Sequence, residues 1–379
     1  MTLSISRREI MGCSGGLAMG LAIGGLAGYQ HTKGAAESIR FDDVLTKPEL
    51  VRLIFNENPY GPPESAKQAI SSAINASWMY GYKEVRLLRE MIANHEGLRP
   101  DNVIVTEGSG ELLKIAGLVL GGGKEVVCGY PTFTMLPDYA VRNGGTVEAV
   151  RLNSDMGIDL SAMEERISDL TGVVYVCNPN NPTGNSLNSD DLRGFIDFIS
   201  PHVPVFVDEA YIDFTENPRL SSMVDQIKSG MNVIVSRTFS KAYGMAGLRI
   251  GYGLGRADVI NRLEQRRISN PNRLGLIAAL ASYEDQKFLS YSRKMVRAGI
   301  DVAYGVLNDM GLRYIPTQGN FILFDSGRPS VKFHRHMLKH NILVAPKTDF
   351  HENWVRVSIG RLEEMDIFAE AARQYFLKT

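Results

Sequence analysis

The sequence predicts an α/β domain with a mostly parallel central sheet, helices on both faces, and a smaller α+β domain beside it. Three observations lead there. From residue 102 onward, short β-branched runs alternate with stretches of helical periodicity, the pattern of parallel strands joined by helices. Around Pro271 this gives way to a long helical region and then to isolated apolar runs. The chain's 379 residues, 44% of them apolar, suffice for one large domain with a companion and a full core.

Charge narrows the function classes. With 41 basic and 42 acidic residues the net charge is −1, which offers no support for nucleic acid or a membrane surface as the main partner. Heptads and internal repeats are absent from the sequence. The three cysteines, Cys13, Cys128 and Cys177, have no CxxC or Cys/His spacing, so no metal is expected. Cys128 and Cys177 lie in the strand-like runs EVVC and VVYVC, where buried inert thiols are expected.

The elements follow in order. Residues 1–36 begin with "SISRREIM", a twin arginine (Arg7-Arg8) ahead of the weakly hydrophobic, acid-free "IMGCSGGLAMGLAIGGLAG". This resembles a twin-arginine export signal, with Ile10 and Met11 at the usual hydrophobic positions. It implies export to the bacterial periplasm after cleavage near Ala27 or Ala36. Cys13 precedes the hydrophobic stretch rather than closing it, which argues against lipidation. A flexible extension on a cytoplasmic protein is the alternative reading. An uncleaved anchor is a third, although the segment is short and diluted by glycine.

Residues 37–61 are assigned to the small domain, 62–270 to the large one and 271–379 to the C-terminal part of the small one. The large domain's strands are NVIVTE, EVVCGY, TVEAV, VVYVCN, VPVFVDE, NVIVS and LRIGYGL, with amphipathic stretches such as SDDLRGFIDFIS between several of them. The small domain contributes YIPTQGNFILF, NILVAP and NWVRVSIG.

Ligands of open α/β sheets gather at the carboxyl ends of the strands. Four chemically suggestive motifs fall there: TEGSGELL, NPNNPTG, DEAY and SRTFSK. One active site would collect all four. TEGSGELL sets Gly108, Ser109 and Gly110 at a helix start, where free N–H groups favour an anion; simple capping by Ser109 is the bland alternative. Thr238, Ser240 and Arg249 are placed to add donors, and a guanidinium fork suits a phosphate.

Asp208 ends an apolar strand and needs a cation or a donor at that depth. Magnesium of the Walker type is one option, but the chain has no GxxxxGK[ST] motif. A protonated ring nitrogen is the other, and a carboxylate beside it makes the ring an electron sink. Tyr211 and Asn181 would then meet a phenolate on the same ring, although Asn181 also reads as a plain turn residue. Lys241, among small residues and near cationic charge, is placed to form a Schiff base with pyridoxal phosphate; an ordinary surface lysine is the alternative.

These motifs carry a resemblance. TFSKAYGMAG fits the lysine signature of class II pyridoxal-phosphate aminotransferases, and NPNNPTG and DEAY fit the same fold-type-I family. NENPYGPP, YPTF and WVRVSIG are most similar to the histidinol-phosphate aminotransferases, over residues 50 to 377. The resemblance implies a Schiff-base and proton-shuttling role for Lys241, a pyridine-nitrogen partner in Asp208, and ring-oxygen contacts from Tyr211 and Asn181. By the same resemblance Phe133 would stack on the ring where tyrosine is usual, and Ser109, Gly110, Thr238, Ser240 and Arg249 would hold the cofactor phosphate. Tyr80, with Tyr82 as fallback, would reach the neighbouring subunit's phosphate, which implies a homodimer with shared active sites. Arg356 would bind the substrate carboxylate or phosphate, and Tyr60 and Asn320 would line the substrate pocket.

One departure stands out. Ala345 occupies the place of an arginine in the histidinol-phosphate enzymes, weakening dianion recognition by about 2–3 kcal/mol, with Lys347 as a nearby candidate to compensate. The expected function is an aminotransferase moving an amino group between an amino acid, or a histidinol-phosphate-like amine, and a 2-oxo acid, with an α-carboxylate amino acid the preferred donor. A pyridoxal-phosphate decarboxylase (similar to threonine-phosphate decarboxylase) or a cyclising lyase of the same fold is the alternative. A catalytically silent binding protein is the alternative of another class.

Overall fold

The computed structural model describes residues 50–346 and 351–377. The export-signal segment and Lys347 lie outside the described residues. Twelve strands follow in chain order among those described: β1 (Val51–Leu53), β2 (Val103–Thr106), β3 (Glu125–Tyr130), β4 (Thr146–Arg151), β5 (Thr171–Cys177), β6 (Val205–Asp208), β7 (Val233–Thr238), β8 (Gly251–Gly255), β9 (Tyr314–Ile315), β10 (Phe321–Asp325), β11 (Ile342–Val344) and β12 (Trp354–Ser358).

The large sheet runs β2-β8-β7-β6-β5-β3-β4. Strands β3 to β7 pair in parallel, and β8 alone runs antiparallel between β2 and β7. Strands β5 and β6 are buried at every position, which is why they read as continuous apolar runs. Their side chains alternate between two cores. Val174 and Val176 enter one, while Val173, Tyr175 and Cys177 enter the other, as the period of two requires. Helices cover both faces, which is the expected layering.

Strand β8 begins later than the run LRIGYGL suggests. Leu248 closes a short 3-10 turn, and Arg249 adopts a left-handed φ of 56°. That turn brings its guanidinium back onto the Ala246 carbonyl (2.9 Å) and near Ser240 Oγ (3.4 Å) and the Glu107 carbonyl (3.5 Å) at the sheet end.

Beyond Asn272 the helical region is two helices, Arg273–Ser282 and Gln286–Asp309. Asp285 separates them by accepting a bond from the Phe288 amide as the second helix's cap. The first packs on helices Glu64–Ala73 and Tyr82–Glu96. The last strands form an antiparallel sheet, β12-β10-β9, and β1 pairs in parallel with β11. Residues just before NENPYGPP are thereby anchored to a strand some 290 positions later (Val51 opposite Ile342).

Candidate active site

Register builds the floor of the site. Cys177 and Asp208 stand side by side at the ends of β5 and β6, with Ser236 opposite Asp208 on β7, two residues before that strand's end. Asp208 is 2% exposed, and its Oδ1 accepts a 2.7 Å bond from Ser236 Oγ. Burial pushes its carboxyl up to about 6, against the lowering effect of Ser236. A carboxylate so desolvated gains most from a cation brought to it. Burial also pushes up the thiols of Cys128 and Cys177, both free and buried.

Tyr211 lies three residues past that strand end. Its hydroxyl accepts from Asn56 Nδ2 at 2.9 Å and more loosely from Asn181 Nδ2 at 3.4 Å. A phenol has two lone pairs and one proton, so these two bonds leave the O–H to donate to a third group. Burial holds the phenol's pKa above its ordinary value, which keeps that proton in place. Asn181 also accepts from Arg356 Nη1 at 2.6 Å through its carbonyl oxygen.

Lys241 follows β7 after two residues. Its Nζ donates to the carbonyls of Phe55 (2.9 Å) and Asn56 (3.0 Å) and stands 5.6 Å from the centre of the Tyr211 ring. Burial first, then the nearby positive charges of Arg356 and Arg249, push the amine down to about 7, with Glu57 opposing. Near neutrality a large share of it is the free nucleophile.

An anion cup lies beside it. Helix Ser109–Leu120 starts after Gly108, whose φ is 73°. A side chain at Gly108 would collide with the Arg249 guanidinium, and one at Gly251 with the Ser109 amide. The Thr238 hydroxyl donates to Ser240 Oγ at 2.9 Å. Glu111 locks the helix start by accepting from the Glu107 amide (2.7 Å) and from the amides of Ile268 and Ser269. Gly110 faces Met135. Backbone N–H groups, two hydroxyls and a guanidinium thus converge at a helix N-terminus, as an anion requires.

The other expected residues divide. Asn320 donates from Nδ2 to the carbonyls of Asn56 and Glu57 (3.0 and 3.1 Å), and its buried Oδ1 has no hydrogen-bond partner among the described residues. The Tyr60 ring meets Tyr291 edge-on at 5.8 Å, and its hydroxyl has the Leu362 backbone beside it. The Asn320 oxygen is left for a ligand. Phe133 is half-buried against the core cluster of Tyr175 and Phe206. Ala345, 9% exposed, directly follows β11. Tyr80 and Tyr82 stand outside this assembly, 77% and 66% exposed, with ring centres 5.7 Å apart.

Sequence reasoning missed Phe55, Asn56, Asn58 and Ser236. NENPYGPP was visible as a motif, but nothing local shows that the Asn58 amide braces the Lys241 and Ala242 carbonyls (both 3.0 Å). Ser236 carried one signal: it is the first polar residue after the apolar run VIV of β7, ahead of Arg237 and Thr238. Together the buried carboxylate, the spare phenolic proton, the depressed amine and the anion cup fit a flat, phosphorylated heteroaromatic aldehyde.

Comparison with known proteins agrees with that chemistry. The family model described as aminotransferase class I and II matches residues 48–371. The histidinol-phosphate aminotransferase of Moorella thermoacetica is 35% identical over 330 residues, 86% of this chain and 85% of that protein. Histidinol-phosphate aminotransferase 2 of Pseudomonas fluorescens is 36% identical over 327 residues, 85% of this chain and 88% of that one. Among solved structures, the Sinorhizobium meliloti histidinol-phosphate aminotransferase in complex with pyridoxal-5'-phosphate superposes with a TM-score of 0.75 at 27% identity. The match covers 90% of this chain and 99% of that one.

Proposed function

This chain belongs to the class I and II aminotransferases, and we propose that its amino donor is an amino acid whose α-carboxylate is held by Arg356. The protein is a pyridoxal-phosphate-dependent aminotransferase. When bound, the cofactor supplies a conjugated ring that takes up the electrons left on the substrate's α-carbon. The chain's own residues do the rest. Asp208 would face the ring nitrogen and keep its proton in place. The Tyr211 hydroxyl would donate a hydrogen bond to the ring oxygen, with Asn181 beside it, and Phe133 would pack on the ring. Ser109, Gly110, Thr238, Ser240 and Arg249 would hold the phosphate. Lys241, its amine lowered by burial, would hold the aldehyde carbon and serve as the base for the substrate's α-proton.

One observation carries the choice of donor: Arg356 and Tyr211 share Asn181. An anion held by Arg356 is thereby brought beside the groups assigned to the ring, as an α-carboxylate must be when the α-carbon reacts. Ala345 adds no cation for a distal phosphate, which counts against the substrate named for the relatives. Tyr60 and Asn320 line the remaining pocket.

Two further readings belong to the proposal. The exposed run Trp78, Met79, Tyr80 and Tyr82 supports a homodimer in which Tyr80 reaches the partner's site, since such aromatic patches mark interfaces. The Arg7-Arg8 pair supports export of the folded, cofactor-loaded enzyme to the bacterial periplasm. A site assembled from distant segments exists only after folding, and twin-arginine signals address the route for folded proteins.

A half-reaction screen tests the donor. The loaded enzyme is mixed with α-amino acids or with histidinol phosphate, and loss of the lysine-bound cofactor's visible absorbance is followed. The expected result is a higher kcat/KM for an α-carboxylate donor, with Ala345→Arg shifting preference toward histidinol phosphate. A clear wild-type preference for histidinol phosphate overturns it.

A further inference from the structure

Asn56 is the most connected polar residue around Lys241. It is 1% exposed and follows Phe55 in a pair of left-handed conformations, φ 63° and 54°, which asparagine tolerates better than most residues. Each of its four polar atoms is engaged. Its backbone N–H donates to Ser358 Oγ at 2.7 Å, and its carbonyl accepts from Lys241 Nζ and from Asn320 Nδ2, both at 3.0 Å. Its side-chain oxygen accepts from Ser358 Oγ at 3.3 Å, and its side-chain nitrogen donates to the Tyr211 hydroxyl at 2.9 Å.

The last bond has a directional consequence. The Asn56 amide is the shorter of the two donors to the Tyr211 oxygen, ahead of Asn181 at 3.4 Å. While it holds one lone pair, the phenolic proton cannot turn that way and must point at a third acceptor. Ser358 lies two residues beyond Arg356 on β12. The strand that carries the carboxylate-binding arginine therefore also anchors the residue that orients Tyr211.

We propose that Asn56 is a positioning residue acting through Tyr211: it commits the Tyr211 hydroxyl to donate toward the cofactor's ring oxygen and ties that commitment to β12. The proposal rests on the functional reading above. A purely structural clamp would hold the backbone turn without affecting the proton affinity of the bound chromophore.

The experiment is a double-mutant cycle read by absorbance. In loaded enzyme, a donor to the ring oxygen stabilises its anionic form, so losing that donor raises the pH midpoint of the visible spectral change. Asn56→Asp keeps the size and the tolerance of left-handed φ but replaces the donor with an acceptor. Its midpoint should rise by about one pH unit, a tenfold change in proton affinity. In a Tyr211→Phe background the same substitution should move the midpoint no further, because interacting residues are non-additive. Equal shifts in both backgrounds, or none in the single variant, overturn the proposal. If Asn56→Asp does not fold, Ser358→Ala loosens the anchor instead, and a midpoint unchanged from wild type there overturns it as well. A wild-type protein lacking the lysine-bound chromophore would sink the functional reading, not this inference alone.

Discussion

Arg356 donates from Nη1 to Asn181 Oδ1 across 2.6 Å, joining the middle of β12 to the loop that follows β5. Two segments 175 residues apart thus meet where a substrate carboxylate and the cofactor ring would adjoin. Arg356→Lys keeps the charge but loses the planar fork that would serve Asn181 and a substrate carboxylate together. KM for an α-carboxylate donor should rise about 10- to 100-fold, the scale of a charge-assisted hydrogen bond, with cofactor affinity nearly unchanged. Steady-state kinetics and a cofactor titration decide it, and an unchanged KM removes Arg356 from the substrate site.

Lys241 should titrate far below an ordinary lysine. Because burial and neighbouring cations depress it to about 7, it is mostly protonated at pH 5 and mostly free above pH 8. In cofactor-free protein, labelling by an amine-selective reagent, mapped by peptide mass, should follow that midpoint. Lys241→Ala should bind cofactor without a covalent link, and borohydride reduction should leave no adduct. A labelling midpoint near 10, or an adduct on another lysine, contradicts the assignment.

The sign for Asp208 is opposite to that of a salt-bridged carboxylate. Its pKa is raised from 3.8 to about 6 by burial, so the native state binds the proton more tightly than the unfolded chain. That stabilising contribution is complete below pH 3.8 and is lost as pH rises through 6. Without cofactor, Asp208→Asn should therefore gain stability relative to wild type between pH 4 and 7, by up to about 3 kcal/mol. Urea unfolding at the two pH values measures this. With cofactor the same variant should lose roughly 100-fold or more in rate, the scale of a removed electrostatic partner. Near-normal turnover refutes the ring-nitrogen role.

Tyr80 tests the assembly. Sedimentation equilibrium should give a dimer, and Tyr80→Ala should weaken cofactor binding about tenfold, one charge-assisted hydrogen bond's worth. A monomer with full activity refutes the shared site.

Export is tested by fractionating cells that carry wild type or the double variant Arg7→Lys/Arg8→Lys. Wild type should appear in the periplasm with cofactor bound, and the variant should stay in the cytoplasm. Equal cytoplasmic retention with residues 1–36 uncleaved overturns the signal reading.

The fold class, the seven runs of the large sheet and the lysine motif were all legible in the linear chain. Hydropathy period and turn composition are local properties, and the strand-end rule then sends Ser109, Asn181, Asp208 and Lys241 to one edge without any coordinates. The entrance of β8 was not legible, because the run LRIGYGL carries no turn signal for the 3-10 turn at Ala246–Leu248 and the left-handed Arg249 that closes it.

The sequence by itself determined which chemical groups were available and at which strand ends they would emerge. Only the tertiary structure decided how they are held. Asn56 and Ser358 are 302 residues apart and Asn56 and Tyr211 are 155 apart, so no window of sequence contains either bond. The proton affinities of Lys241 and Asp208 belong to the same class, since desolvation depends on everything packed around a group. Burial is a sum over distant neighbours, and it exists only once the chain has closed around the site.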